Sequence, residues 1–130
     1  MCGRFTLGAT ATDLAAQCNL ATVPPWTPRY NIAPTQEVLV VVQPSPQASQ
    51  EAHLHRWGLV PSWAKDPSIG NRLINARAES VASKPAFRHA FHDRRCLVLA
   101  DGFYEWHKEG ARKQPYHIRL RDGRPFAFAV

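Results

Sequence analysis

Cysteine is scarce in this sequence, and long apolar runs are absent. The three cysteines are an odd number and include no Cys-x-x-Cys pair, which argues against a disulfide framework and favours a reducing compartment. No window holds eighteen apolar residues, so no membrane span is expected. The first residues also lack the apolar core of a secretory signal, and we therefore expect a cytoplasmic protein, nucleoid-associated if bacterial. Cys18 and Cys96 lie in apolar stretches and are expected to pack in the core.

Acidic residues are outnumbered by basic ones. Ten Asp and Glu face sixteen Lys and Arg, which gives a net charge of +6, and twelve of the sixteen cations are arginine. A guanidinium pairs with phosphate oxygens through a planar fork of donors, so this balance favours a polyanion such as nucleic acid. Repeats and low-complexity tracts are missing, and a chain of 130 residues predicts one domain.

Short strands with few full helices between them predict a mostly antiparallel α+β domain. Helices are predicted over 12–20, capped by Thr12, and over 84–92, capped by Ser83. Strands are predicted over 36–43, 53–57, 96–100, 103–107, 116–120 and 125–130, with a turn at 110–114 and a hairpin through the Asp-Gly of 121–124. The chain stops inside an apolar strand, Phe126 to Val130, and we expect a domain truncated there.

Cys2 directly follows the initiator methionine. Removal of Met1 would leave an α-amine and a thiol on one residue, and α-amines have a pKa of about 8. The amine can form an imine with an aldehyde, and the thiol can then close a five-membered thiazolidine at the same carbon. Gly3 would let a ligand approach this nucleophile closely, and Arg4 could hold a phosphate beside it.

Polar residues recur in two further segments. Asn75, Arg77 and Glu79 would share one face of an extended segment, with Ile74, Ala76 and Ala78 on the other. Glu105 lies between Tyr104 and Trp106, and aromatic neighbours can desolvate a carboxylate so that it both donates and accepts protons. A solvated strand face would explain either segment equally well.

Flat aromatic faces alternate with arginines, a combination that suits the stacking of unpaired bases. The candidates are Tyr30, Trp57, Trp63, Phe103 and Trp106, of which at least two are expected to be packing residues and Trp63 the most exposed. No metal site or other cofactor is predicted. The potential ligands His53 and His55 have no third partner nearby in sequence, and arginines surround His89 and His92.

Five ordered segments together resemble the SOS response-associated peptidase (SRAP) family along the whole chain. The matching segments are Met1-Cys2-Gly3-Arg4-Phe5, Arg29-Tyr30-Asn31-Ile32-Ala33-Pro34, Trp57-Gly58-Leu59-Val60-Pro61-Ser62-Trp63, Ile74-Asn75-Ala76-Arg77-Ala78-Glu79 and Asp101-Gly102-Phe103-Tyr104-Glu105-Trp106. The resemblance implies a compact α+β fold of twisted, mostly antiparallel sheets, with residues 1–130 as a single, incomplete domain.

The resemblance also implies a function. Members of this family are sensors of abasic sites in single-stranded DNA, which lose the initiator methionine and form a thiazolidine through the equivalent of Cys2. The resemblance also implies that Asn75 is the asparagine of the active site, Arg77 the phosphate-binding cation and Glu105 the acid/base residue. Pro34 would line the DNA cleft and Trp63 would approach the bases, and Trp106 is a further predicted DNA contact.

One family feature has no counterpart. The family uses a histidine in a His-Asp/Glu-Arg-Met/Arg-Pro motif after the Glu105 segment, whereas His92-Asp93-Arg94-Arg95 precedes Glu105 and is followed by Cys96. No residue is therefore assigned to that role, and we expect residues 1–130 alone to be incompletely active. The completed protein is expected to be a monomer.

Two other functions stay open. A cysteine peptidase, for example one that removes only its own Met1, would also use Cys2 but would turn over a peptide. A non-covalent module for single-stranded DNA would tolerate Cys2→Ala.

Overall fold

The structure, a computed structural model, describes residues 2–130. Its elements, in chain order, are β1 (Phe5–Leu7), α1 (Ala11–Gln17), β2 (Arg29–Ile32), β3 (Glu37–Val42), β4 (Glu51–Arg56), a 3-10 helix (Pro67–Asn71), α2 (Ala78–Val81), α3 (Arg88–Asp93), β5 (Leu97–Ala100), β6 (Gly102–Glu109), β7 (Arg112–Ile118) and β8 (Phe126–Ala129). Among these described residues no helix is both long and apolar enough to cross a membrane.

Two antiparallel sheets of four strands enclose the core, which confirms the predicted α+β class. One sheet has the strand order β2-β1-β6-β7 and the other the order β4-β3-β5-β8. Strand β3 has Val38, Leu39, Val40 and Val41 buried in succession, as expected for a strand covered on both faces. This strand and β4 lie close to their predicted positions.

Aromatic rings join the two sheets. The Phe128 ring of β8 lies 6.1 Å from Phe5 in β1 and 5.8 Å from Phe103 in β6, both edge to face. Phe5 and Phe103 are cross-strand partners, so the strand that carries the residues after Cys2 and the strand that carries Glu105 are fixed side by side. The fold thereby brings residues about one hundred positions apart to one place.

The predicted hairpin between the last two strands is wrong. The turn itself forms, because Gly123 has a positive φ of 72° and its N–H donates to the carbonyl of Leu120 at 3.0 Å. However, β7 pairs with β6 over seven residue pairs, and β8 pairs with β5 in the other sheet. Strand β8 separates from β7 because Phe126 and Phe128 pack between the sheets. The last strand, β8, thus has β5 as its partner along one edge.

The helices also differ from the predictions at their ends. Thr10, not Thr12, caps α1: its hydroxyl accepts from the Asp13 N–H while the Asp13 carboxylate accepts from Thr10. Helix α3 begins at Arg88, later than predicted, and Ser83 is no cap because its hydroxyl donates to the Ser80 carbonyl. The turn predicted over 110–114 is shorter, since β7 already begins at Arg112.

Candidate active site

Cys2 and Asn75 meet at the N-terminal end of β1. The Asn75 side-chain amide donates to the main-chain carbonyl of Cys2 at 2.8 Å. Both residues are half-buried, and the Cys2 thiol lies 3.4 Å from the carbonyl oxygen of Arg4. The predicted nucleophile is therefore fixed through its own backbone by a residue 73 positions further along the chain.

Trp57 explains how Asn75 reaches Cys2. The Trp57 ring packs at 5.3 Å from the Phe5 ring, and its indole N–H donates to the carbonyl of Ile74 at 2.9 Å. Trp57 therefore contacts Phe5 of β1 with its ring and Ile74, the residue before Asn75, with its indole N–H. Trp57, a candidate for base stacking, is a packing residue in this structure, and so is Phe103.

Glu105 is the third residue of this group. It is half-buried on β6, and successive strand residues alternate in direction, so its side chain lies on the same face as that of Phe103. Burial raises the pKa of the Cys2 thiol above its ordinary value, and the negative charge of Glu105 raises that pKa as well. The thiol is therefore protonated at neutral pH, and the Glu105 carboxylate is close enough to act on it electrostatically.

The segment 74–79 is not the strand that its alternating pattern predicts. Arg77 has an extended backbone and is the N-cap of α2, while Glu79 lies inside that helix. The three polar side chains thus do not share one strand face. The Arg77 side chain is exposed and borders an open hollow together with Glu79 and Ser80. Asn75 and Arg77 are thus only two positions apart in the chain but differ in their surroundings: the Asn75 side chain bonds Cys2, and the Arg77 side chain faces solvent.

Gly3 and Arg4 lie between the nucleophile and β1. A Cβ atom built on Gly3 would meet nothing within 4 Å, so space is open beside this backbone. The Arg4 guanidinium donates to the side-chain oxygen of Asn31 at 2.8 Å. Arg4 is thus held against β2, and a phosphate bound there would share the guanidinium with Asn31.

The remaining predicted DNA contacts are spread around this group. Trp63 is 57% exposed, but Tyr30 is the most exposed of the aromatic candidates at 66%, and Trp106 is exposed too. Trp106 follows Glu105 on β6, so its side chain projects from the opposite face, where it lies near Tyr104. Pro34 is half-buried in the loop before β3, which is tied to Trp57 by two backbone hydrogen bonds. Within residues 2–130, none of these four side chains forms a hydrogen bond with Cys2.

A buried polar network, which the sequence analysis did not identify, fixes β1 to β6 on the far side of the sheet. Thr6 is 2% exposed, and its hydroxyl donates to Asp101 at 2.5 Å. The other Asp101 oxygen accepts from the Gly8 N–H at 2.5 Å. His117 Nε2 lies 3.1 Å from the Thr6 hydroxyl, and because the single Thr6 hydrogen goes to Asp101, this nitrogen must be the donor.

Across residues 2–130, no group of three or more His, Cys, Asp or Glu side chains is arranged to hold a metal ion. His53 instead pairs with Glu51 at 3.0 Å on the exposed face of β4. Cys18 and Cys96 are free thiols that pack against the core, as expected.

The family model described as SOS response associated peptidase (SRAP) matches residues 1–130. The chain belongs to the SRAP family. It is 41% identical over 133 residues to abasic site processing protein YoaM of Bacillus subtilis, covering 99% of this chain and 58% of that protein. It is 36% identical over 140 residues to abasic site processing protein YedK of Escherichia coli, covering all of this chain and 59% of that protein.

A solved structure has the same fold. A protein from Bacteroides thetaiotaomicron superposes with a TM-score of 0.83 at 26% identity, covering 98% of this chain and 58% of its own. The chain therefore spans a little under three-fifths of the length of the curated relatives and of this structure.

Proposed function

We propose that this SRAP chain captures abasic sites in single-stranded DNA as a covalent adduct of Cys2, after removal of Met1. The observation that carries the proposal is the hydrogen bond from Asn75 to the Cys2 carbonyl at 2.8 Å, beside the charge of Glu105. An amine and a thiol on a residue fixed in this way can attack one carbon in succession. Two SRAP relatives that are named abasic site processing proteins support DNA with abasic sites as the target.

The chemistry follows from the order in which the two groups become reactive. The free α-amine adds to the aldehyde carbon of the ring-opened sugar, and loss of one water gives an imine. The thiol sulfur then bonds to the same carbon, and its proton passes to the nitrogen, which closes the thiazolidine. Because burial raises the pKa of the Cys2 thiol, a neutral thiol is present while the amine acts first. The overall reaction releases one water.

The other residues of the group have roles that suit this sequence of steps. Glu105 gives a proton to the departing hydroxyl and accepts one from the amine. Asn75 orients the main chain of Cys2, so the new α-amine is presented at a fixed angle. Arg77, exposed at the start of α2, binds a phosphate next to the sugar, as does Arg4. Trp63, Trp106 and Pro34 contact the strand on either side.

A cysteine peptidase is the second candidate, favoured by the description of the family model. Its nucleophile would be a thiolate, which needs a lowered thiol pKa, whereas burial raises that of Cys2. A DNA aldehyde should leave a lasting adduct, and a peptide should be turned over. Non-covalent binding is the third candidate, and it would leave a Cys2→Ala variant fully functional.

Crosslinking kinetics with an abasic single-stranded oligonucleotide test the proposal. Glu105→Gln should slow adduct formation about 10²–10⁴-fold if the carboxyl group transfers protons. The variant should bind undamaged single strands as the unmodified chain does. Equal losses of affinity and rate would instead make Glu105 a structural residue. Cys2→Ala keeps the amine, so it should give an adduct that survives only after borohydride reduction of the imine.

We propose that the protein acts in the cytoplasm, at the nucleoid if it is bacterial, because its proposed target is DNA. We expect it to act as a monomer without a cofactor.

A further inference from the structure

Residues 84–95, which include α3, carry a disproportionate share of the positive charge. This segment has four Lys and Arg and one Asp, a net charge of +3, which is half of the chain's +6 in fewer than a tenth of its residues. All four cations are exposed: Lys84, Arg88, Arg94 and Arg95. We call this segment the α3 surface.

None of the four Lys and Arg side chains of the α3 surface forms a salt bridge among the described residues. The one carboxylate in the segment, Asp93, is instead bound to His92 at 2.5 Å, and this hydrogen bond lowers the pKa of Asp93. Phe87 and Ala90 face inward and are half-buried, whereas Phe91 is 42% exposed among the arginines. The surface therefore offers a net positive charge and one flat ring to solvent, with Asp93 as its one carboxylate.

The α3 surface follows the Arg77 segment directly in the chain, through a run of hydrogen-bonded turns. The N–H of Val81 donates to the carbonyl of Arg77 at 2.9 Å, that of Lys84 to the carbonyl of Ser80 at 3.0 Å and that of Arg88 to the carbonyl of Lys84 at 2.9 Å. Each bond closes one turn. The cations therefore follow Arg77 in the chain through α2, a stretch of turns and α3.

We propose that the α3 surface binds the single strand that flanks the abasic site, beyond the nucleotides held near Cys2. Arg88, Arg94 and Arg95 would pair with successive phosphates, and Phe91 would stack on an unpaired base. The exposed ring favours single-stranded over double-stranded DNA as the partner, since a duplex offers its backbone but no free base face. The inference rests on the proposed function, because it takes the strand at Cys2 as its starting point.

The test compares two variants of equal charge. One replaces Arg88, Arg94 and Arg95 with glutamine; the matched control replaces Lys108, Arg112 and Lys113 at the tip of the β6–β7 hairpin. Both remove three exposed cations, and thermal unfolding checks that both still fold. Fluorescence anisotropy measures the affinity of each for undamaged single strands of about five and about twenty nucleotides, over a range of salt concentrations, and crosslinking is followed separately with abasic strands of the same lengths.

The α3 variant should lose at least tenfold in affinity for the long strand and little for the short one. Its log–log salt slope on the long strand should fall by about 2, from three contacts of roughly 0.7 each. The hairpin control should lose less than threefold. Phe91→Ala should weaken long-strand binding about tenfold, with the salt slope unchanged, because stacking releases no counterions.

Three results would overturn the inference. The first is an equal loss of long-strand affinity in the hairpin control. The second is an unchanged long-strand affinity in the α3 variant, and the third is an equal loss of that variant's affinity for a duplex of the same length. Crosslinking to the short strand separates this inference from the proposed function. If the α3 variant crosslinks normally and also binds long strands normally, the inference fails alone. If the unmodified chain never crosslinks but loses long-strand affinity with the α3 cations, the proposed capture fails and the inference holds.

Discussion

Replacing Thr6 with valine keeps the side-chain shape but removes the hydroxyl at the centre of the buried network. Thr6 is 2% exposed, so water cannot take the place of the lost group. The bond removed is the 2.5 Å contact with Asp101, and His117 Nε2 loses its acceptor as well. Asp101 keeps the Gly8 N–H. Hydrogen bonds to charged groups contribute about 1.5–3 kcal/mol, and we expect the free energy of unfolding to fall by about 2 kcal/mol.

Urea unfolding, followed by circular dichroism, measures this change as a lower midpoint with an unchanged slope. For a domain of this size the melting temperature should fall by about 6–10 °C. Thr6→Ser is the matched control, because it keeps the hydroxyl and deletes one methyl group at a cost of about 1 kcal/mol. If valine proves no more destabilising than serine, the network does not stabilise the β1–β6 pair and the reasoning is refuted.

Three further predictions concern charge, thiol titration and backbone space. Arg77→Ala should reduce the salt slope of single-strand binding by about 0.7, and an unchanged slope would remove Arg77 from the phosphate contacts. In a variant with Cys2 as its sole cysteine, the pH dependence of alkylation of the folded chain should have its midpoint above the ordinary thiol pKa of 9.0. The free energy of unfolding of this variant should fall as the pH rises from 9.0 to the higher pKa of the folded chain, because the unfolded chain loses the thiol proton first. A midpoint at or below 9.0 would contradict the burial argument. Gly58→Ala should destabilise the fold by about 2 kcal/mol or more, since Gly58 has a φ of 130° and a Cβ would lie 2.4 Å from the Gly70 carbonyl; near-normal urea stability would show that the loop yields.

Local sequence patterns predicted the elements whose signals are strong over several residues. Val38 to Val41 form an apolar run that fits a buried strand, and the predicted strand is β3. The α1 cap was misassigned although a signal existed, because Thr10 stands three residues before Asp13 in capping-box spacing. The pairing of β8 with β5 had no local signal, since it depends on where Phe126 and Phe128 find partners across the core.

Some residues of the candidate site could likewise be predicted from local sequence, and others could not. Cys2 and Glu105 could be selected by chemical type, but the contact between Cys2 and Asn75 could not be derived without Trp57, which links two distant segments. The alternating pattern around Arg77 suggested a strand, yet a four-residue helix begins there, because tertiary contacts outweigh a pattern this short. The Thr6 network joins three separate strands or their ends, and no spacing in the sequence announces it.

Intact-mass spectrometry tests the central proposal most directly. The chain is incubated with an abasic single-stranded oligonucleotide and compared with the same chain whose α-amine has been acetylated after removal of Met1. We predict an adduct of the unblocked chain, lacking Met1, whose mass is that of protein plus oligonucleotide less one water, and no adduct of the acetylated chain. An adduct that forms normally with the blocked amine would contradict thiazolidine formation at Cys2.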